Sequence, residues 1–214
     1  MKWSYFYIEL LFLSILTVSC YDEKDLEPSN IVSSYSVPQG THDYDDVIVD
    51  IYDQYSSCLL YKFTDKDTYW TPSGWMNGSL GEEGTNGYIV TPADENYVGQ
   101  QVDLLQNAWF SFYSDEFLKE FLPVKIMLCS NIDSVYAEYD FSEGFKVIYK
   151  GKGVNAWYNY DNICVSYGNE TVIQMTKEDT LAFRRKINQI FIVKLHLRKN
   201  LRKLQTIKQM VSIV

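Results

Sequence analysis

Four aromatic side chains, Tyr69, Trp70, Trp75 and Tyr88, fall in one irregular, glycine-rich stretch of a 214-residue chain. Exposed rings of this size form a flat platform for sugar rings or anchor a protein partner. These four are the candidate ligand contacts. Packing within the loop is the simpler role for each, because tryptophan is highly buried on average. A second aromatic group, Trp157, Tyr158 and Tyr160, comes much later, and Trp109, on the apolar face of a helical stretch, reads as core.

The other reactive residues are sparse. Cys58, Cys129 and Cys164 each sit in an apolar, strand-like run. A zinc site needs Cys or His clustered at short spacing. These three are far apart, and the chain has only two histidines, His42 and His196. Buried inert thiols are the simpler reading, and a disulfide with one spare thiol is the other. Asp65-Lys66-Asp67 and Asp94-Glu95-Asn96 carry oxygens that calcium could use, but neither fits an EF-hand loop. Carboxylates at loops or helix starts explain both. Neither a Gly-x-Ser-x-Gly turn nor a Walker loop occurs, and Gly151-Lys152-Gly153 lacks the third glycine and the helix of a dinucleotide site. No catalytic residue, metal or cofactor is implied.

The elements that must position these residues are mixed. Tyr44, Val47, Ile48, Ile51, Tyr52 and Tyr55 recur at helical spacing, with Asp45, Asp46, Asp50 and Asp53 mostly on the other side. Cys58–Phe63 reads as a central strand. Residues 64–97 read as a long loop with a short strand at Tyr88–Val90. Helical spacing returns over Val98–Tyr113, and Ser114 caps a short helix over Phe117–Leu122 that Pro123 stops. Val124–Cys129, Ser134–Phe141 and Phe145–Tyr149 read as separate strands. Ile163, Val165 and Tyr167 alternate like a half-buried strand. Thr176 to Asp179 has the form of a capping box opening a long helix. Strands and helices without βαβ alternation predict an α+β single domain, with a mixed or antiparallel sheet packed by several helices.

Charge divides the chain. Nineteen Lys+Arg stand against 28 Asp+Glu, a net charge of -9. Residues 184–214 carry nine basic residues and no acidic one, so all 28 acidic residues precede Arg184. An acidic body excludes nucleic acid as the main partner. A hydrophobic content of 46%, with 16% aromatic, excludes a disordered chain.

The N-terminus reads as an export address. Lys2 precedes the apolar run Leu10–Leu16, which is too short to span a bilayer. Leu16-Thr17-Val18-Ser19-Cys20 resembles the lipobox of bacterial lipoproteins, with Thr17 where that motif usually has Leu. The resemblance implies that residues 1–19 are a signal peptide and that Cys20 is acylated, holding the protein to a membrane. Tyr21-Asp22-Glu23-Lys24-Asp25 is similar to the surface-export signal of Bacteroidota lipoproteins. Residues 20–40 read as a tether, residues 41–193 as the α+β domain, and residues 194–214 as a basic helical tail.

Tyr52-Asp53-Gln54-Tyr55, Leu59-Leu60-Tyr61-Lys62-Phe63 and Phe117-Leu118-Lys119-Glu120-Phe121-Leu122-Pro123 behind such a leader resemble the zinc-binding metallopeptidase-like lipoproteins of Bacteroidota. Those proteins accompany outer-membrane nutrient-import systems. The sequence departs from them at the His-Glu-x-x-His motif, which is absent, so no catalytic residue carries over. The expected protein is an outer-membrane lipoprotein, facing the cell surface or the periplasm. It binds a nutrient (glycan or peptide) or an envelope protein without catalysis. The alternatives are a shortened metallopeptidase or hydrolase and a structural subunit. The abrupt basic end fits a shortened reading frame, or an amphipathic helix docked on the acidic body.

Overall fold

The computed structural model describes residues 35–142 and 144–197. Its organising element is one long strand, β5 (Lys125–Asp140). The first part of β5 lies between two parallel neighbours, β1 (Cys58–Leu60) and β8 (Asn162–Val165). An antiparallel edge strand, β7 (Ala156–Tyr158), extends the sheet beyond β8. The second part of β5 pairs antiparallel with β4 (Gly87–Pro92) and β6 (Lys146–Gly153). A register shift between Thr91 and Pro92 marks the change from one part to the other. The result is a mixed six-stranded sheet, with a separate two-stranded hairpin of β2 (Trp70–Thr71) and β3 (Gly74–Trp75).

Five α-helices complete the described residues: α1 (Asp43–Tyr55), α2 (Asp65–Tyr69), α3 (Val98–Ala108), α4 (Asp115–Phe121) and α5 (Lys177–Leu197). The fold is therefore α+β, as the mixture of patterns predicts. Alternation along the central strands sorts the core into two clusters. Leu59, Ile126, Leu128, Ile163 and Val165 meet the apolar faces of α1, α3, α4 and α5. Cys58, Leu60, Met127, Cys129 and Cys164 point the other way, under Tyr69, Trp157 and Ile132. Both faces of β1 and β8 are covered, so every residue of these strands is buried. The expectation of a half-buried strand at Ile163–Tyr167 fails for that reason. Tyr167 lies past the strand, in a left-handed conformation with φ of 76°.

Other expectations shift in boundary. The runs at Val124–Cys129 and Ser134–Phe141 belong to one strand, because Asn131 pairs with Thr91 and keeps the ladder going. Residues 35–40, assigned to the tether by composition, pack on the body. Gln39 Oε1 accepts from the backbone N–H groups of Tyr61 (2.8 Å) and Lys62 (2.9 Å), and Val37 touches both core clusters. At the other end α5 runs to Leu197, past the expected limit at 193. Its capping box is formed, with Thr176 N–H and Oγ1 both donating to Asp179 and Asp179 N–H returning a bond to Thr176 Oγ1. The expected tail beyond Leu197, the signal peptide and Cys20 lie outside the described residues.

Asp45, expected mostly on the outward face of α1, is buried with 2% of its surface exposed. It accepts from His42 N–H (2.9 Å) and Tyr61 Oη (2.9 Å), and His42 Nδ1 lies 3.2 Å away. Burial alone would raise its pKa, but the His42 backbone bond, the Tyr61 bond and the His42 ring together hold it below the usual carboxylate range. A lowered folded pKa gives stability that is present above the unfolded carboxyl value of about 3.9 and is lost as the pH falls through the folded value. Asp45→Ala is expected to cost about 1.5–3 kcal/mol at neutral pH, because it leaves Tyr61 and the helix start unpaired. Urea midpoints compared at pH 7 and near pH 3 check both parts, since the gap between wild type and variant must narrow in acid.

Candidate functional site

The short helix α2 is fixed at both ends by side chains. At its start Thr64 N–H (2.9 Å) and Oγ1 (2.7 Å) donate to Asp67, which is buried. These bonds explain the Asp65-Lys66-Asp67 cluster as a capping box rather than a calcium loop. At its end the orphan carbonyls meet three donors from the sheet. Lys125 Nζ donates to Asp67 C=O (2.7 Å), and Asn162 Nδ2 donates to Asp67 C=O (3.0 Å) and Thr68 C=O (3.1 Å). Asn159 Nδ2 donates to Thr68 C=O (2.7 Å) and Trp70 C=O (3.3 Å). A helix end inside a protein needs such partners. These bonds set the direction in which the chain leaves α2 into the β2–β3 hairpin.

The hairpin pairs Trp70 with Trp75 and Thr71 with Gly74, whose φ of 141° requires glycine. Thr71 Oγ1 closes the turn on Gly74 C=O at 2.8 Å. Backbone bonds from Met76 N–H to Tyr69 C=O (3.0 Å) and from Tyr88 N–H to Met76 C=O (2.9 Å) lay the following segment against β4. Gly78 permits this approach, since a Cβ there would come within 2.9 Å of Val135.

A cleft of about 990 Å³ opens between this hairpin and the β7–β8 turn. Thr71, Pro72, Ser73 and Met76 form one side, Tyr158, Asn159, Tyr160 and Asp161 the other, with Tyr88 and Trp157 between them. Tyr88 stacks on Trp157 with ring centres 4.3 Å apart and planes 18° from parallel. Trp157 leans in turn on Tyr69, 6.2 Å away. Tyr160 meets Trp70, outside the lining, edge to face, 6.0 Å apart at 86°. Both rings are open to solvent, Tyr160 at 60% and Trp70 at 43%. Asp161 pairs with the buried Lys125 at 3.0 Å.

The four sequence candidates separate in this setting. Tyr88 lines the cleft. Trp70 touches Tyr160 but does not itself line the cleft, and Trp75, the cross-strand partner of Trp70, is 54% exposed and also outside the lining. Tyr69 is buried behind Trp157, where its hydroxyl oxygen accepts Val90 N–H at 2.7 Å, so it packs the wall and meets no ligand. Burial pushes its pKa up to about 12. Nothing in the sequence marks Met76, Pro72 and Asp161 as contacts, and Trp157, Tyr158 and Tyr160 stand out there only as a separate aromatic group. The available signal was that second group, which parallel pairing of β5 with β8 brings beside the first.

The remaining reactive groups lie elsewhere. The three thiols are buried on one face of the sheet and unbridged. Burial raises the pKa of Cys58 and Cys129, and contact with the Cys164 thiol raises that of Cys129 further, so neither presents a thiolate. His42 caps α1, and the side chain of His196 lies outside the described residues. Asp94 caps the turn that follows it through Asn96 N–H (2.9 Å), which accounts for the second acidic cluster. Gly151-Lys152-Gly153 is the end of β6. Among the described residues, no group of three or more His, Cys, Asp or Glu side chains could hold a metal ion, and no helix is long and apolar enough to cross a membrane. Comparison with protein-family models, curated proteins and solved structures finds no match to this chain.

Proposed function

We propose that this protein is an exported, lipid-anchored envelope protein that holds a nutrient or an envelope partner in the aromatic cleft without acting on it chemically. The leader, Cys20 and the acidic tether support the anchor. The kinship with metallopeptidase-like import lipoproteins rests on the sequence strings alone. One observation carries the binding reading. Lys125, Asn159 and Asn162 are bonded to the carbonyls at the end of α2 that lead into the hairpin, while Tyr88, Trp157 and Tyr160 are the rings that line the cleft. A concave, ring-lined surface with few polar groups is the usual form of a binding site.

Two results test this reading. In the expressing bacterium, Cys20→Ser is expected to abolish incorporation of labelled palmitate and to move the chain out of the membrane fraction. Retained label would refute the anchor. The full chain, purified in detergent, is expected to gain thermal stability from a member of a glycan and peptide panel, as ligand binding to the native state requires. Tyr160→Ala and Tyr88→Ala are expected to remove that gain.

A further inference from the structure

We infer that the cleft takes a neutral carbohydrate, an oligosaccharide rather than a single ring, with Tyr160, braced edge to face by Trp70, as its stacking ring and Asp161 as its hydroxyl acceptor. This inference rests on the binding reading above and names the ligand of that site. Among the described residues that line the cleft, Asp161 alone carries a carboxylate, and none carries a positive charge. Its Oδ2 sits 3.0 Å from Lys125 Nζ, and its Oδ1 accepts from Asn162 Nδ2 at 3.3 Å. Its side chain is still 35% exposed, and a carboxylate has more acceptor sites than these two bonds use, so it can accept further hydrogen bonds. The pair is electrically balanced. It attracts a cation weakly, yet it accepts hydrogen bonds from neutral hydroxyls strongly, because an ionised acceptor makes the stronger bond.

Other ligand classes fit less well. An anion would meet an acidic body and find the adjacent Lys125 already committed to Asp67 C=O and Asp161. A wholly apolar ligand would strip water from Asp161 and return no hydrogen bond. A sugar ring satisfies both demands. Its C–H face lies on a ring face, and its hydroxyl edge reaches the carboxylate. Tyr160 lines the cleft and is largely exposed, and Trp70, at 86° to it, braces its ring so that a sugar face can lie on it. The volume of about 990 Å³ stands at the upper end for compact ligands and leaves room beyond one sugar unit.

The test uses the full chain in detergent micelles, with tryptophan fluorescence and calorimetric titration as readouts. The probes are neutral oligosaccharides (glucans, mannans, xylans), sulfated and uronic-acid oligosaccharides, tetramethylammonium, and short lysine- or arginine-containing peptides. Binding of at least one neutral oligosaccharide is expected, weakened about tenfold or more by Tyr160→Ala and kept within about twofold by Tyr160→Phe. Asp161→Leu is expected to weaken it similarly. Binding restricted to a charged glycan, tetramethylammonium or a peptide, and lost in Tyr160→Ala, would overturn the carbohydrate inference and leave the cleft a binding site. Absence of binding for every class would overturn both. Neutral-glycan binding that Tyr160→Ala leaves intact would also overturn the inference.

Discussion

Trp109→Ala is expected to lower the free energy of unfolding by about 3–5 kcal/mol, a large share of the stability of a domain this size. Trp109 is fully buried where α3 ends. Its ring lies 5.1 Å from Phe110 and 5.2 Å from Phe191, edge to face with the latter, and so ties α3 to α5. Tyr113 and Phe117 extend the same aromatic cluster onto Phe191. Removing the indole leaves a cavity that several rigid rings cannot fill. Trp109→Phe makes a sharper comparison. The indole Nε1 is buried and has no hydrogen-bond partner among the described residues, so phenylalanine deletes an unsatisfied donor while keeping most of the ring. Its cost is expected to be about 1 kcal/mol or less. Urea denaturation midpoints of the two variants measure the difference, and equal losses would mean that the ring is not packed as described.

Lys125→Met has the second largest expected effect, about 2–3 kcal/mol of stability together with a weaker cleft. Lys125 is buried at the first position of β5, in register with Cys58 on one side and Asn162 on the other. It neutralises Asp161 and occupies Asp67 C=O, so its loss leaves a half-buried carboxylate unpaired and loosens the end of α2. The partial exposure of Asp161 keeps the cost below that of a fully buried pair. A double-mutant cycle with Asp161→Leu separates the two roles. Stability is expected to recover in part in the double variant, because no lone charge remains, while binding stays weak because the acceptor is gone. Independent, additive losses in stability would contradict the pairing.

How much of this was legible in the sequence depended on how local each cause was. The helix starts were, because capping at Thr176 and Ser114 is a matter of a few neighbouring residues. The α+β class was too, since the apolar periods of α1 and α3 differ plainly from the continuous runs of β1 and β5. The burial of Asp45 was not, because it depends on Tyr61, sixteen positions away, presenting its hydroxyl. The single strand β5 was hidden by Ser130 and Asn131, which look like turn residues until β4 pairs across them.

The cleft was half visible. Its aromatic residues stood out in two groups, but their meeting depends on contacts such as Asn159 with Thr68, 91 positions apart. No local pattern encodes that distance. The same nonlocality explains the fate of Tyr69 and Trp75. Both look like their neighbours in sequence, yet Tyr69 ends α2 with its hydroxyl bonded to the Val90 N–H, and Trp75 lies outside the lining of the cleft.

The cleft is where the protein is proposed to hold its ligand. Calorimetric titration of the full chain with the tightest neutral oligosaccharide of the panel tests it most directly, comparing wild type with Tyr88→Ala/Tyr160→Ala and with Tyr52→Ala, an exposed aromatic on α1 outside the cleft. The account predicts that the cleft variant loses about a hundredfold or more in affinity, as two ring contacts would supply, while Tyr52→Ala binds as wild type does. Equal affinity in all three proteins would contradict it.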